Sequence, residues 1–371
     1  MEFAVKSAAI QAALDQATAK CIFPCGVLMR KQADNPPEFF CSGKSVYGDG
    51  GFKPDAHSLF DLASLTKVVA TTTLAMMAYE EGSLDLDKPV SAWLPDFMDG
   101  DHPEWRAIIT PRMLLAHTAG FVPFLPFYRT YVNISSRPEK QRIVRLAPLH
   151  SQPNAETVYS DIGMMVMGQI VETILRKRLD AAVWELVFKP LEMLETTFNP
   201  PSKQHCVPTE EMADKPGHFW TGIVHDENAR WLDGVSGHAG LFSTAADLER
   251  FSNMLLENGR PLLHSRHTLQ LFASPANLLP GSTRCLGWTH WSAVHSSFGH
   301  TGFTGISLWI VPDQGLATLL LTNAVHPHRS ANRTATLIRE IISMLYAWKP
   351  RVHDRVTKKN HRGNFNIQSC Q

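Results

Sequence analysis

Two apolar runs, Ile306–Val311 and Leu316–Thr322, stand either side of Pro312-Asp313-Gln314-Gly315. Both are rich in aliphatic and β-branched residues, and the four residues between them favour a turn. A strand with few polar positions has both faces covered, so this pair is a hairpin buried on both faces or nearly so. Further strand patterns lie far away in the chain, at Cys25–Met29 and Glu38–Ser42, followed by a Gly/Asp-rich turn at Tyr47–Gly51. Helical patterns dominate from about residue 65 to residue 234. The simplest architecture is α+β: an antiparallel sheet flanked by helices, built from both ends of the chain, with an all-helical domain inserted. The boundaries read as 1–75 and 235–348 for the sheet domain and 76–234 for the helical domain.

Helix signals are local and specific. Residues 5–19 carry apolar positions on one side. A long segment from Ser64 to Glu81 stops at Gly82, a favourable residue just past a helix end. Thr110 with Pro111 is a cap hydroxyl followed by proline at the first helical position, opening a helix that ends by Gly120. Ser160 caps a helix to about Lys177, Ala181–Lys189 is another, and Thr244 with Asp247 has the spacing of a capping box that opens a helix to Glu257. Ala331–Trp348 reads as a closing amphipathic helix.

Hydrophobic residues make up 44% and charged residues 19%, enough to bury a large core and too apolar for disorder. Lys+Arg and Asp+Glu are 35 each, so no global field draws the chain to nucleic acid or anionic membrane. The charge is uneven: after Trp348, the cations Lys349, Arg351, Arg355, Lys358, Lys359 and Arg362 face Asp354 alone, and residues 349–371 read as a basic disordered tail. The first residues carry charges and lack the apolar centre of a signal peptide, and no stretch approaches the roughly 20 apolar residues of a membrane span. The six cysteines are scattered, as in reduced intracellular proteins, so a cytoplasmic location is expected. Cys21 and Cys25 have no second Cys or His pair at metal spacing.

Three short motifs carry chemistry. Ser64-Leu65-Thr66-Lys67 puts a hydroxyl and an amine on one side of a helix start, where free N–H groups favour developing negative charge. A serine attacks only once something takes its proton, and a lysine one turn along can do so if its pKa is depressed. Tyr159-Ser160-Asp161 offers a phenol as proton relay and a carboxylate for the ammonium of Lys67. Gly299-His300-Thr301-Gly302-Phe303-Thr304-Gly305 precedes the first hairpin strand. Its glycines admit a substrate backbone, and an N–H within it completes an oxyanion hole with that of Ser64.

In this order the three motifs resemble the serine β-lactamase and penicillin-binding-protein superfamily, and within it the class C β-lactamase-like branch of esterases, peptidases and amidases. Phe60–Lys67, Leu114–Gly120, Gly237–Thr244 and Gly287-Trp288 carry the same likeness, which extends over roughly residues 5–345. The resemblance implies an α/β sandwich with an all-helical domain and the site between them. It implies Ser64 as the acyl-forming nucleophile, Lys67 and Tyr159 as general base and acid, His300 in the place of the family's Lys-Thr-Gly lysine, and Thr301, Gly302 and Phe303 along the substrate, with Phe303 N–H in the oxyanion hole. No cofactor or metal is implied.

Two departures bear on activity. Asp161 stands where penicillin-recognising members have Asn, and a carboxylate beside Lys67 raises the lysine pKa, which moves the base role toward Tyr159. His300 stands where a permanent cation would meet a β-lactam carboxylate, and His is largely neutral near pH 7. Both favour the esterase and amidase branch over a true class C-type β-lactamase. Val224-His225-Asp226-Glu227-Asn228-Ala229 is similar to a run in cytoplasmic members that recycle peptidoglycan fragments, including muramoyl-alanine amidases, with His225 and Asp226 as substrate contacts or parts of a structural loop. The expected partner is a small ester or amide, a muropeptide among them. Two other readings stand beside it: a binding protein of the same fold without turnover, and a metal-dependent amidohydrolase using His225 and Asp226. His117 and His238 sit beside glycines and read as structural.

Overall fold

Among the described residues, nine strands form two sheets. They are β1 (Cys25–Gln32), β2 (Glu38–Gly43), β3 (Phe60–Asp61), β4 (Thr197–Phe198), β5 (Leu241–Ser243), β6 (Thr289–His290), β7 (Phe298–Gly302), β8 (Ile306–Val311) and β9 (Leu316–Thr322). The larger sheet is antiparallel in the order β2-β1-β9-β8-β7-β6. The smaller sheet, β3-β5-β4, holds the chain just before Ser64. The computed structural model describes residues 7–32, 35–275, 279, 281–291, 294, 296–332 and 334. The helix expected over Ala331–Trp348 lies, past Thr334, outside the described residues, and so does the tail 349–371.

The expected hairpin is β8–β9, paired Leu308 to Leu319 and Ile310 to Ala317, and every residue of both strands is buried. Alternation along each strand sends side chains to opposite faces. Ile306, Leu308, Ile310, Ala317, Leu319 and Leu321 join the main core, while Trp309, Val311, Leu316 and Leu320 join a second core under the N-terminal helix Ser7–Ala19. Helix Ala245–Leu256 covers the opposite face with Leu248, Phe251 and Leu255. Each such side chain contributes about 1.5–3 kcal/mol when fully buried.

The long segment expected from Ser64 is helical but not uniform. It begins as a 3₁₀ turn, Ala63–Leu65, continues as a π-helical stretch, Lys67–Thr72, and ends as α-helix Thr73–Glu80 before Gly82. Local widening of this kind recurs at functional sites. Thr110 caps Pro111–Leu115 through Met113 N, and Ser160 caps Asp161–Leu175 through Gly163 N. Thr244 accepts from Asp247 N as a cap should, but the reciprocal half of the box is missing. The Asp247 carboxylate accepts instead from Glu195 N at 2.9 Å and Thr196 Oγ1 at 2.8 Å, tying the helix to the neighbouring loop.

Two close approaches bring the site together. A Cβ on Gly237 would meet Met164 O at 2.3 Å and one on Gly168 would meet Gly237 Cα at 2.9 Å, so helix Asp161–Leu175 and the loop before His238 touch backbone to backbone. A Cβ on Gly302 would meet Leu62 O at 2.7 Å, so the end of β7 lies directly against the turn that carries Ser64. Pairing of β7 with β6 stops at Gly299, which leaves residues 300–302 as an edge.

Candidate active site

Ser64, Tyr159, Asp161, His225, Asp226, His300, Thr301, Gly302 and Phe303, all singled out above, line one cavity of about 640 Å³. Lys67 lies at its base. Its side chain is wholly buried, and Nζ donates to Ser64 Oγ at 2.8 Å and to His238 O at 3.2 Å, with Asp161 Oδ1 at 2.7 Å. Ser64 and His238 take two donors of the ammonium, and Asp161 pairs with it by charge. Burial by itself pushes the lysine pKa down; the Asp161 carboxylate and the Tyr159 phenol outweigh it, and the net direction is up. The lysine is therefore charged at rest and has no lone pair for the serine proton.

The Tyr159 ring is surrounded. Lys67 Nζ lies 4.9 Å from its centroid and the Arg284 guanidinium carbon 4.7 Å. His117 tilts against it at 4.6 Å and His300 at 5.9 Å. Both imidazoles are neutral. Burial first, then the Arg284 and Lys67 charges, drive His117 well below the usual value, and burial, Lys67 and Arg284 bring His300 to about 3. His300 Nδ1 donates to Thr301 O at 2.7 Å, so Nε2 carries the lone pair; it is buried and has no partner among the described residues. The position of the family's lysine thus holds a neutral acceptor, as the sequence suggested.

His225 and Asp226 line the cavity, but their polar atoms are engaged within the protein. His225 Nε2 meets Glu210 at 3.0 Å and its ring stacks under Phe303 at 5.7 Å. Asp226 Oδ1 accepts from Ala229 N at 2.7 Å and from His238 Nε2 at 3.0 Å, and His238 Nδ1 meets Ser236 Oγ at 2.8 Å. His238 and these neighbours hold the Asp226 carboxyl well below the ordinary range despite burial. Asp161, Asp226 and His238 bring ligand-type atoms within 4.8 Å of one another. The Lys67 ammonium already sits against that cluster and balances its negative charge, and His225, the residue that drew attention to a metal, points to Glu210 instead.

Arg284 escaped the sequence reading. It follows Thr283 in an irregular segment with no motif around it, and only the fold turns it over Tyr159. Of the two histidines read as structural, His117 holds backbone, its Nδ1 accepting from Ser160 N at 3.1 Å and fixing the residue after Tyr159, while the His238 ring bridges the side chains of Ser236 and Asp226.

This geometry is that of the β-lactamase fold, with a serine and lysine at a helix start facing a tyrosine and a sheet edge. The Beta-lactamase family model matches residues 41–343, and the chain belongs to that family. It is 34% identical over 310 residues to an N-acetylmuramyl-L-alanine amidase of Bacillus subtilis (strain 168), covering 74% of this chain and 70% of that one. It is 31% identical over 318 residues to a putative D-alanyl-D-alanine carboxypeptidase of Escherichia coli (strain K12), covering 76% and 73%. Among solved structures, a penicillin-binding protein homologue from Pyrococcus abyssi superposes with a TM-score of 0.74 at 16% identity, covering 93% of this chain and 78% of that one. EstCE1, a hydrolase with promiscuous acyltransferase activity, superposes with a TM-score of 0.73 at 21% identity, covering 91% and 97%. The chain is a β-lactamase-like hydrolase. No described helix is long and apolar enough to cross a membrane.

Proposed function

We propose that the chain hydrolyses an ester or amide through an acyl-enzyme at Ser64, with a peptidoglycan fragment as the preferred class of substrate. The observation that carries this is the contact of Ser64 Oγ with a buried, charged Lys67 at the base of a cavity also lined by Tyr159 and the 300–303 edge. Tyr159 acts as a relay: its phenol oxygen takes the serine proton while its own proton moves on toward the departing group as Oγ attacks the carbonyl carbon, since Lys67 has no lone pair to offer. The N–H groups of Ser64 and Phe303 receive the oxyanion, and Tyr159 passes the proton to the departing alcohol or amine. Water then repeats the attack on the acyl-enzyme and frees the acid. Lys67 stays charged, held by Asp161, and steadies Ser64 as it loses its proton.

The neutral His300 argues against a β-lactam carboxylate as the main ligand, while the amidase and carboxypeptidase names of the relatives support cell-wall fragments. Arg284 offers a cation to an acidic group on such a fragment. The cytoplasmic placement and the division of the chain at residues 76 and 234 belong to the same reading. The test is a panel of p-nitrophenyl esters, a chromogenic cephalosporin and a muramoyl-L-alanine amide, run on wild type and Ser64→Ala. Ser64→Ala should lose turnover and labelling by a fluorophosphonate. Labelling retained at another residue overturns the nucleophile, and fastest turnover of the cephalosporin overturns the substrate class.

A further inference from the structure

Three segments wall the cavity around Ser64: the turn before the serine, the loop carrying His225 and Asp226, and the end of β7. All three converge on one buried residue that none of the chemistry above uses, two of them on its carboxylate and the third, through Thr304 just past β7, on its main-chain carbonyl. Asp61, at the end of β3, is 2% exposed, and its oxygens are taken up by backbone amides. Oδ1 accepts from Ala63 N at 2.9 Å and Oδ2 from His225 N at 2.6 Å. Its own carbonyl accepts from Thr304 Oγ1 at 2.8 Å, and Thr304 O is anchored in turn by Ala324 N at 2.9 Å. Ala63, directly before Ser64, has φ +44, a left-handed conformation that a residue with a side chain holds only under constraint. The bond from Ala63 N to Asp61 supplies that constraint.

We infer that Asp61 is a positioning residue, whose carboxylate and carbonyl hold the nucleophile turn, the His225 loop and residue 304 in one frame behind Ser64 and Phe303. A rigid frame of this kind is what an oxyanion hole needs, because its donors must be in place before charge develops. The role demands a carboxylate. Two amides donate to it, one to each oxygen, whereas an asparagine has a single acceptor oxygen and would turn an NH2 group on one of them. Burial raises the Asp61 pKa, and the amides of His225 and Ala63, one donating to each oxygen, oppose it by favouring the carboxylate.

This inference rests on Ser64 as the nucleophile, and one experiment separates the two. Wild type, Ser64→Ala, Asp61→Asn and Thr304→Val are compared in p-nitrophenyl acetate hydrolysis, thermal melting and hydrogen exchange read by mass spectrometry. Asp61→Asn should lower kcat by about 10- to 100-fold with KM held within about threefold. Exchange at Ala63 or His225 should quicken about tenfold or more while the sheet stays protected. Thr304→Val, which removes one of the three ties, should lose about fivefold in kcat. An Asp61→Asn enzyme with near wild-type kcat and unchanged exchange at both amides overturns the inference. So does a variant that melts early and exchanges faster throughout, which makes Asp61 merely structural. Turnover surviving in Ser64→Ala overturns the nucleophile instead, and the exchange at Ala63 and His225 still decides the role of Asp61.

Discussion

The β8–β9 hairpin and the cavity floor are both buried, yet they are stabilised in opposite ways. The hairpin excludes water with mainly aliphatic side chains on two faces and asks little of its neighbours beyond shape. The floor buries Lys67 against Asp161, with Asp226 and His238 behind, and survives only because each group has a partner. Burying a charge costs far more than burying a methylene returns unless it is matched. The molecule therefore keeps its stability in one region and holds a costly, preorganised set of charges in the other.

Lys67→Met breaks the contrast most severely. It should abolish esterase turnover, by about a thousandfold or more, and destabilise the fold by about 3–5 kcal/mol, because two carboxylates lose their buried cation. Denaturant unfolding beside the kinetics checks both. Leu319→Ala probes the other region. It should cost about 2–5 kcal/mol while kcat per folded molecule stays at the wild-type level.

Asp161→Asn sharpens the electrostatic side. In wild type the folded lysine pKa lies above its ordinary 10.5, so the stability this contributes is full below that value and is lost as pH rises through the folded value. Without the carboxylate, burial dominates and the lysine pKa falls. Melting temperature in the variant should lose the alkaline decline that this lysine gives the wild type and rise instead with pH below about 10.5, as the buried amine sheds its proton ahead of the unfolded chain, and turnover should drop about tenfold. A variant whose alkaline decline coincides with that of wild type would falsify the pairing. The smallest change is Arg284→Gln. It should slow an anionic substrate about tenfold more than a neutral p-nitrophenyl ester, read as the ratio of the two kcat/KM values.

The readable parts of the molecule share one property. Ile306–Val311, Leu316–Thr322, the caps at Thr110 and Ser160, and the Ser64/Lys67 pair depend on residues a few positions apart, where periodicity and turn chemistry act. Asp247 shows where that reach ends: its spacing matches a capping box, but a loop some fifty residues earlier offers better donors and wins its carboxylate. Arg284 and Asp61 lie beyond it altogether. Arg284 sits in no pattern that marks it, and Asp61, though inside the Phe60–Lys67 stretch, carries no role there; each meets partners distant in the chain, Tyr159 for one and His225 with Thr304 for the other.

Sequence alone determined the sheet from both ends, the helical middle, the serine–lysine–tyrosine set and the neutral residue at 300, because hydrophobic period and side-chain chemistry are properties of short stretches. The tertiary structure decided that Lys67 is buried among Ser64, His238 and Asp161, that Arg284 faces the phenol, and that the buried Asp61 bonds to both Ala63 and His225. Those are matters of burial and of which charges meet, and burial is set only when distant segments pack.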